Sequence, residues 1–138
     1  MTRNRSRPNF EWTPGGPLPE NLSRLAEQVA ELVMEIPPGR WVSWGDLGDA
    51  LGTTGKAVAE AGLTLDPTPG ETLMPPQWPV PWHRVRMADG SHQSPGFVTP
   101  EQDWEIIRIA SEWWEGEGGR WAGVRGGRYD PAQRFTLR

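Results

Sequence analysis

Between Leu22 and Ile36 the apolar positions are Leu22, Leu25, Ala26, Val29, Leu32, Val33 and Ile36. Steps of three and four put them on one face of a helix. Asn21 or Ser23 can cap its start, and Pro37-Pro38-Gly39 ends it. Ser43-Trp44-Gly45-Asp46 has the capping-box form, a serine with an acid three residues on. It predicts a short helix to Ala50 or Leu51, with Leu47, Ala50 and Leu51 inward and Gly52 closing it. Thr53-Thr54-Gly55 is a turn able to cap a second short helix, Lys56 to about Gly62. A longer helix is predicted from Thr99 or Pro100 to about Trp114, with Thr99 as cap and Glu101 and Asp103 favoured by the helix dipole. Its inward face is predicted as Trp104, Ile107 and Trp114, flanked by Ile106, Ala110 and Trp113, with Glu105–Arg108 a surface pair. Arg40-Trp41-Val42 reads as an extended link, and Val85-Arg86-Met87 as a short strand closed by an Asp89-Gly90 turn.

Two short helices joined by a glycine-containing turn form the helix-turn-helix pattern. In that motif the second helix meets a DNA groove with its N-terminal residues, and Lys56 sits at that end. The same pattern also serves as plain scaffolding in all-α domains.

Pro79-Val-Pro-Trp-His-Arg-Val85 breaks the periodicity. Each proline fixes its own φ and biases the residue before it toward an extended conformation, so Trp82 is presented on a stiff support. His83 and Arg84 follow directly. A rigid loop offering an indole, an imidazole and a guanidinium suits a binding site. A hydrophobic lid is the competing reading, because the chain has nine tryptophans.

Composition narrows the chemistry. The 138 residues fit one domain with a modest core, and 17 glycines with 15 prolines give loops a large share. No apolar run approaches the roughly 20 residues of a membrane helix, and no apolar segment follows the basic start, so a cytoplasmic location is expected. The chain has no cysteine and 2 histidines, which removes disulfides, thiolate metal sites and a cysteine nucleophile. No cofactor and no metal site are expected. The net charge of −4 argues against nucleic acid taken as a sum, but the charge is unevenly placed. Six acids and Arg108 lie between Glu101 and Glu117, whereas Arg120, Arg125, Arg128, Arg134 and Arg138 face Asp130 alone in the tail. Trp121, Tyr129 and Phe135 interleave with those arginines. Such a tail can bind phosphates and stack on bases, or its aromatics can clip it onto the core, the reading preferred here. Three segments follow: residues 1–20 as a flexible arm that Trp12 could anchor, 21–117 as the domain, and 118–138 as a C-terminal extension.

These signals fall in a recognisable order. Ile36-Pro-Pro-Gly-Arg-Trp-Val-Ser-Trp-Gly-Asp-Leu47 resembles the segment that opens the helix-turn-helix of O6-alkylguanine-DNA alkyltransferases. Lys56-Ala-Val-Ala59 resembles that family's Arg-Ala-Val-Gly recognition helix, Asp66-Pro-Thr-Pro69 its Asn-Pro-x-Pro turn, and Pro81-Trp-His-Arg-Val85 its active-site Pro-Cys-His-Arg-Val. The nucleophilic cysteine is replaced by Trp82, the mark of the alkyltransferase-like proteins. Those proteins bind O6-alkylguanine without repairing it and pass it to nucleotide excision repair. Chemistry agrees, because alkyl transfer needs a soft, ionisable nucleophile and an indole does not ionise near neutral pH.

The resemblance implies a mainly α fold: an alkyltransferase C-terminal-type domain with a winged or helix-turn-helix DNA-binding motif and a small β element. It implies no enzymatic activity and double-stranded DNA with an alkylated guanine as partner, with nucleotide excision repair proteins a further one. Trp44, Lys56, Ala57, Val58 and Ala59 would meet the DNA, while Pro81, Trp82, His83, Arg84, Val85 and Ser94 would line the lesion pocket. The family's arginine that fills the gap left by the flipped base is absent: Lys56 takes its place if two residues are deleted in the turn, and Val58 in a gapless match. His83 would be structural, Arg84 would tie the loop to the core, and Glu112 is the guess for the carboxylate partner of His83. Two other classes stay open. One is a protein-interaction module on the same fold. The other is a nuclease built on the acids, for which no metal-ligand spacing is present.

Overall fold

A computed structural model describes residues 12–15, 17–65, 78–92 and 99–137. Among these residues four α-helices, a two-stranded sheet and two single 3-10 turns make up the regular structure, in agreement with the mainly α expectation. Helix α1 (Arg24–Met34) starts at Ser23, whose hydroxyl accepts the Ala26 amide, and buries Ala26, Val29, Ala30 and Val33. Gly39, at φ +78°, then makes the turn that the two prolines set up.

Strand β1 (Val42–Ser43) runs straight into α2 (Trp44–Ala50) through the predicted capping box, with Ser43 and Asp46 exchanging side-chain and backbone hydrogen bonds. Leu47 and Gly48 face the core from α2, whereas Ala50 is exposed, contrary to the predicted inward set. The reason is the close approach of the next helix. A Cβ at Gly48 would lie 2.6 Å from the Thr54 carbonyl carbon, so the glycine takes the contact face. Gly52 has φ +71° and turns the chain into α3 (Gly55–Leu63), capped by Thr54. Strand β2 (Val85–Arg86) pairs in parallel with β1, Val42 opposite Val85. Thus the predicted extended link at Arg40–Val42 leads into the first strand of the sheet through Val42.

One core lies between α1, α2, α3 and this sheet, built from Val29, Val33, Ile36, Val42, Leu47, Val58, Leu65 and Val80. Helix α4 (Pro100–Gly116) has Thr99 and Gln102 as a second capping box. Its buried side is Ile106, Ile109, Ala110, Ser111 and Trp114. The predicted face was therefore rotated: Trp114 is inward, Ile107 is half-buried, and Trp104 is 74% exposed. A tryptophan counts as apolar in a periodicity argument, yet one indole at a helix start can stay outside when none of the described elements covers it.

The tail forms a second cluster. Tyr129 stacks on Trp114 with centroids 3.8 Å apart, Trp121 meets Tyr129 edge-on, and Trp41 closes the group. The backbone of Arg134 and Phe135 runs beside Trp41 as an isolated parallel bridge. The aromatics thus clip the tail onto the core, as preferred from the sequence. Among the described residues no helix is long and apolar enough to cross a membrane.

Candidate nucleic-acid interface

Prolines 79 and 81 deliver a single 3-10 turn, Trp82–Arg84, immediately before β2. This turn is held from three sides. Arg84 donates from Nη1 to the Ile36 carbonyl at 2.9 Å and reaches both carboxylate oxygens of Glu117 through Nε and Nη2. Such a two-point arginine–carboxylate pair fixes orientation as well as charge. His83 donates from Nε2 to Glu117 at 2.9 Å. The Tyr129 hydroxyl donates to the His83 carbonyl at 2.8 Å. Arg84 therefore ties the loop to the core, as the resemblance implied.

The carboxylate partner of His83 is Glu117, which replaces the guess of Glu112. Glu112 instead accepts from Arg108 on the outer side of α4 at 2.7 Å. Helical spacing explains the error: the helix extends to Gly116 and Glu117 caps it, so its carboxylate turns back beneath the 82–84 turn. Burial opposes ionisation of Glu117, but hydrogen bonds from His83 and Arg84 outweigh it and hold the carboxyl down at about 2. Burial pushes His83 below its ordinary value, against the raising effect of Glu117, so the ring is neutral at neutral pH. Its Nδ1 is buried without a hydrogen-bond partner among the described residues. Aromatic rings shield the imidazole: Trp113 at 5.4 Å and Trp12 at 6.4 Å between centroids. Trp12 also donates to the Trp78 carbonyl at 3.3 Å and lies 5.6 Å from the Arg84 guanidinium, which anchors residues 12–15 beside the turn.

Trp82 is half-buried and points the other way from this buried dyad in its contacts. Its ring lies 5.5 Å from that of Trp44, tilted by 34°, and its outer edge rests on Gly62 of α3. Trp44 is the first residue of α2 and is half-buried too. The structure thus brings together Trp82 from the proline loop, Trp44 from α2 and the body of α3. Along α3, Lys56 is exposed, Ala57 and Ala59 are half-buried, and Val58 is fully buried in the core. The Val58 side chain cannot reach a groove, which leaves Lys56 as the cation at the head of this helix. Pro81, His83, Arg84 and Val85 are buried in the loop. Ser94 and the Asp66–Pro69 turn lie outside the described residues.

Arg134 is a site-adjacent residue that the sequence reading did not single out. Its guanidinium spans Asp46 at 2.9 Å and the Ser43 hydroxyl at 3.1 Å, and lies over the Trp41 ring. It offsets one of the acids of the helix-turn-helix. No local signal marks it, because Asp46 and Arg134 are joined only by the fold of the tail. Among the described residues no group of three His, Cys, Asp or Glu could hold a metal ion.

The fold of this arrangement has relatives. The structure of S. pombe Atl1 in complex with damaged DNA containing O6-carboxymethylguanine is similar at 23% identity and a TM-score of 0.57, over 82% of this chain and 95% of that one. A structure of S. pombe ATL in complex with DNA is similar at 24% identity and a TM-score of 0.50, over 81% and 94%. No curated protein sequence matches the chain. Residues 24–107 match the family model for the 6-O-methylguanine DNA methyltransferase DNA-binding domain. That span contains the helix-turn-helix, the proline loop and the first half of α4, so the chain belongs to the 6-O-methylguanine DNA methyltransferase DNA-binding domain family and has the Atl1-like form of its fold.

Proposed function

We propose that this protein is a non-enzymatic sensor of O6-alkylguanine in duplex DNA, a reading carried by one observation. By the likeness of Pro81-Trp-His-Arg-Val85 to the family's Pro-Cys-His-Arg-Val, Trp82 stands for the nucleophilic cysteine, in a chain with no cysteine, and it is half-buried against Trp44 and α3. Alkyl transfer needs a thiolate or an equally soft nucleophile, and an indole supplies none. The His83–Glu117 dyad persists beside it with nothing to deprotonate. Helix α3 faces the DNA with Lys56 at its head. The alkylated guanine leaves the stack at a cost of a few kcal/mol and is received beside Trp82. The bound lesion is then marked for nucleotide excision repair. The S. pombe relatives, one bound to damaged DNA and one to DNA, support this reading by fold.

The test is binding to a labelled duplex with one O6-methylguanine, against the same duplex with guanine, at two salt concentrations. Tighter binding to the lesion is expected, with the DNA left alkylated after prolonged incubation. Transfer of a labelled methyl group to the protein overturns the non-enzymatic reading. A protein-interaction module on the same fold is the alternative. It is favoured by Trp104, 74% exposed, and Val124, 79% exposed, and it gains if no DNA is bound even at low salt.

A further inference from the structure

Gly62 is buried near the end of α3, a place where alanine would be the better helix former. A glycine retained there points to a close neighbour. A Cβ built on Gly62 would lie 2.9 Å from Cη2 of Trp82, 3.3 Å from Cζ2 and 3.7 Å from Cζ3. All three atoms belong to the six-membered ring of the indole, the outer edge of the side chain. Van der Waals contact between carbon atoms begins at about 3.5 Å, so the ring occupies the volume that any other residue at 62 would fill. Trp82 cannot swing away without changing its packing on Trp44, whose ring lies 5.5 Å off. The backbone beneath it is held by Arg84, Glu117 and Tyr129. The indole is therefore wedged between the first residue of α2 and the last turn of α3.

We propose that Gly62 is a positioning residue for lesion recognition. It lets the last turn of α3 seat the Trp82 indole directly, so the geometry of the lesion pocket is set by the side of α3 that carries Gly62. This rests on the function proposed above. Gly62 touches neither base nor phosphate in this role and acts through the ring of Trp82. Position 62 then controls discrimination between lesion and guanine, while general affinity for duplex DNA is set elsewhere.

The experiment is a double-mutant cycle on Gly62→Ala and Trp82→Phe. Phenylalanine retains an aromatic ring next to Trp44 but lacks the outer edge of the indole. Each variant is tested for binding to the O6-methylguanine duplex and the guanine duplex. The indole N–H resonance of Trp82, assigned by its loss in Trp82→Phe, is followed in the free protein. Gly62→Ala is expected to shift that resonance and to cut the lesion preference about tenfold, as overpacking of a tight contact does, with binding to the guanine duplex unchanged. In the Trp82→Phe background the alanine should cost nothing further. If Gly62→Ala does not fold, the double variant must, since the clashing edge is gone; a double variant that also fails to fold overturns the proposal. An unshifted resonance with an unchanged preference overturns it as well, as does an equal loss in both backgrounds. Wild-type chain that binds both duplexes alike overturns the function itself, and with it any lesion role for Gly62.

Discussion

Two of the aromatic clusters in this chain differ in burial. In one, Trp114 and Tyr129 lie parallel, 3.8 Å apart and 6° from coplanar, and both are fully buried. The Arg86 guanidinium covers the other side of Tyr129 at 3.6 Å. Trp114 donates to the Arg120 carbonyl and Tyr129 to the His83 carbonyl, so the polar tips are satisfied. In the other cluster Trp44 and Trp82 meet at 5.5 Å and 34°, half-buried, at the junction of α2, α3 and the proline loop. The first cluster is a fastener for the tail. The second is an aromatic surface within reach of solvent, the kind on which a base can stack. Aromatic content alone does not separate the two roles; burial does. The clusters are also joined, because the Tyr129 hydroxyl holds the backbone of the turn that carries Trp82.

If that division is right, substitutions should cost stability on one side and DNA binding on the other. The largest effect is expected from Tyr129→Ala, which opens a cavity beneath Trp114 and Arg86 and should cost about 4 kcal/mol in urea unfolding. Tyr129→Phe keeps the stack, loses the bond to His83 and should cost about 1 kcal/mol. A smaller cost from the alanine than from the phenylalanine would break the fastener reading.

Glu117→Gln comes next, at about 3 kcal/mol, because it leaves Arg84 and His83 without their buried anion. The same residue sets the acid dependence. With its folded value held at about 2, Glu117 contributes stability above the ordinary carboxylate range, and that contribution is lost as the pH falls from near 4.5 toward 2. His83, kept neutral by burial, contributes above its ordinary value of 6.5, and its share is lost first on acidification. Urea midpoints measured against pH should show both losses in the wild type. The step below pH 4.5 should shrink in Glu117→Gln, leaving the part due to Asp46, Glu115 and Asp130, which are also held below their ordinary values.

Gly48→Ala should cost about 1–3 kcal/mol by pressing α2 off the Thr54 backbone, and DNA binding should weaken with it as α3 loses its seat. Trp44→Ala sharpens the contrast. About 1 kcal/mol of stability is expected for a half-exposed ring, but the preference for O6-methylguanine over guanine should largely vanish in the duplex assay. The smallest effect is Lys56→Ala, with unfolding unchanged and the slope of log affinity against log salt reduced by about 1, as for one lost phosphate contact.

Much of this was legible in the chain. Ser23, Ser43, Thr54 and Thr99 mark four helix starts, and each side chain accepts the amide expected of a cap. A cap acts within three residues, so local sequence suffices to reveal it. The order of the motifs from Ile36 to Val85 was enough to identify the family resemblance, and the replacement of its cysteine by Trp82 excluded the thiolate chemistry.

Other features required the fold. The partner of His83 is 34 positions away, just past the end of α4; where its carboxylate points depends on how that helix ends, and the guess from the sequence fell on Glu112 instead. That Val58 is buried and Lys56 exposed depended on which side of α3 meets the core of Val33 and Leu47, a matter of packing between helices. Trp104 and Trp114 look alike in the pattern, yet one is exposed and the other sealed under Tyr129, because only the tail decides which is covered. Local chemistry settles where elements begin and what reactions the side chains cannot perform. Which side chains meet is set by long-range burial, since each contact must displace water from both partners at once, and that information resides in the pairing of distant segments.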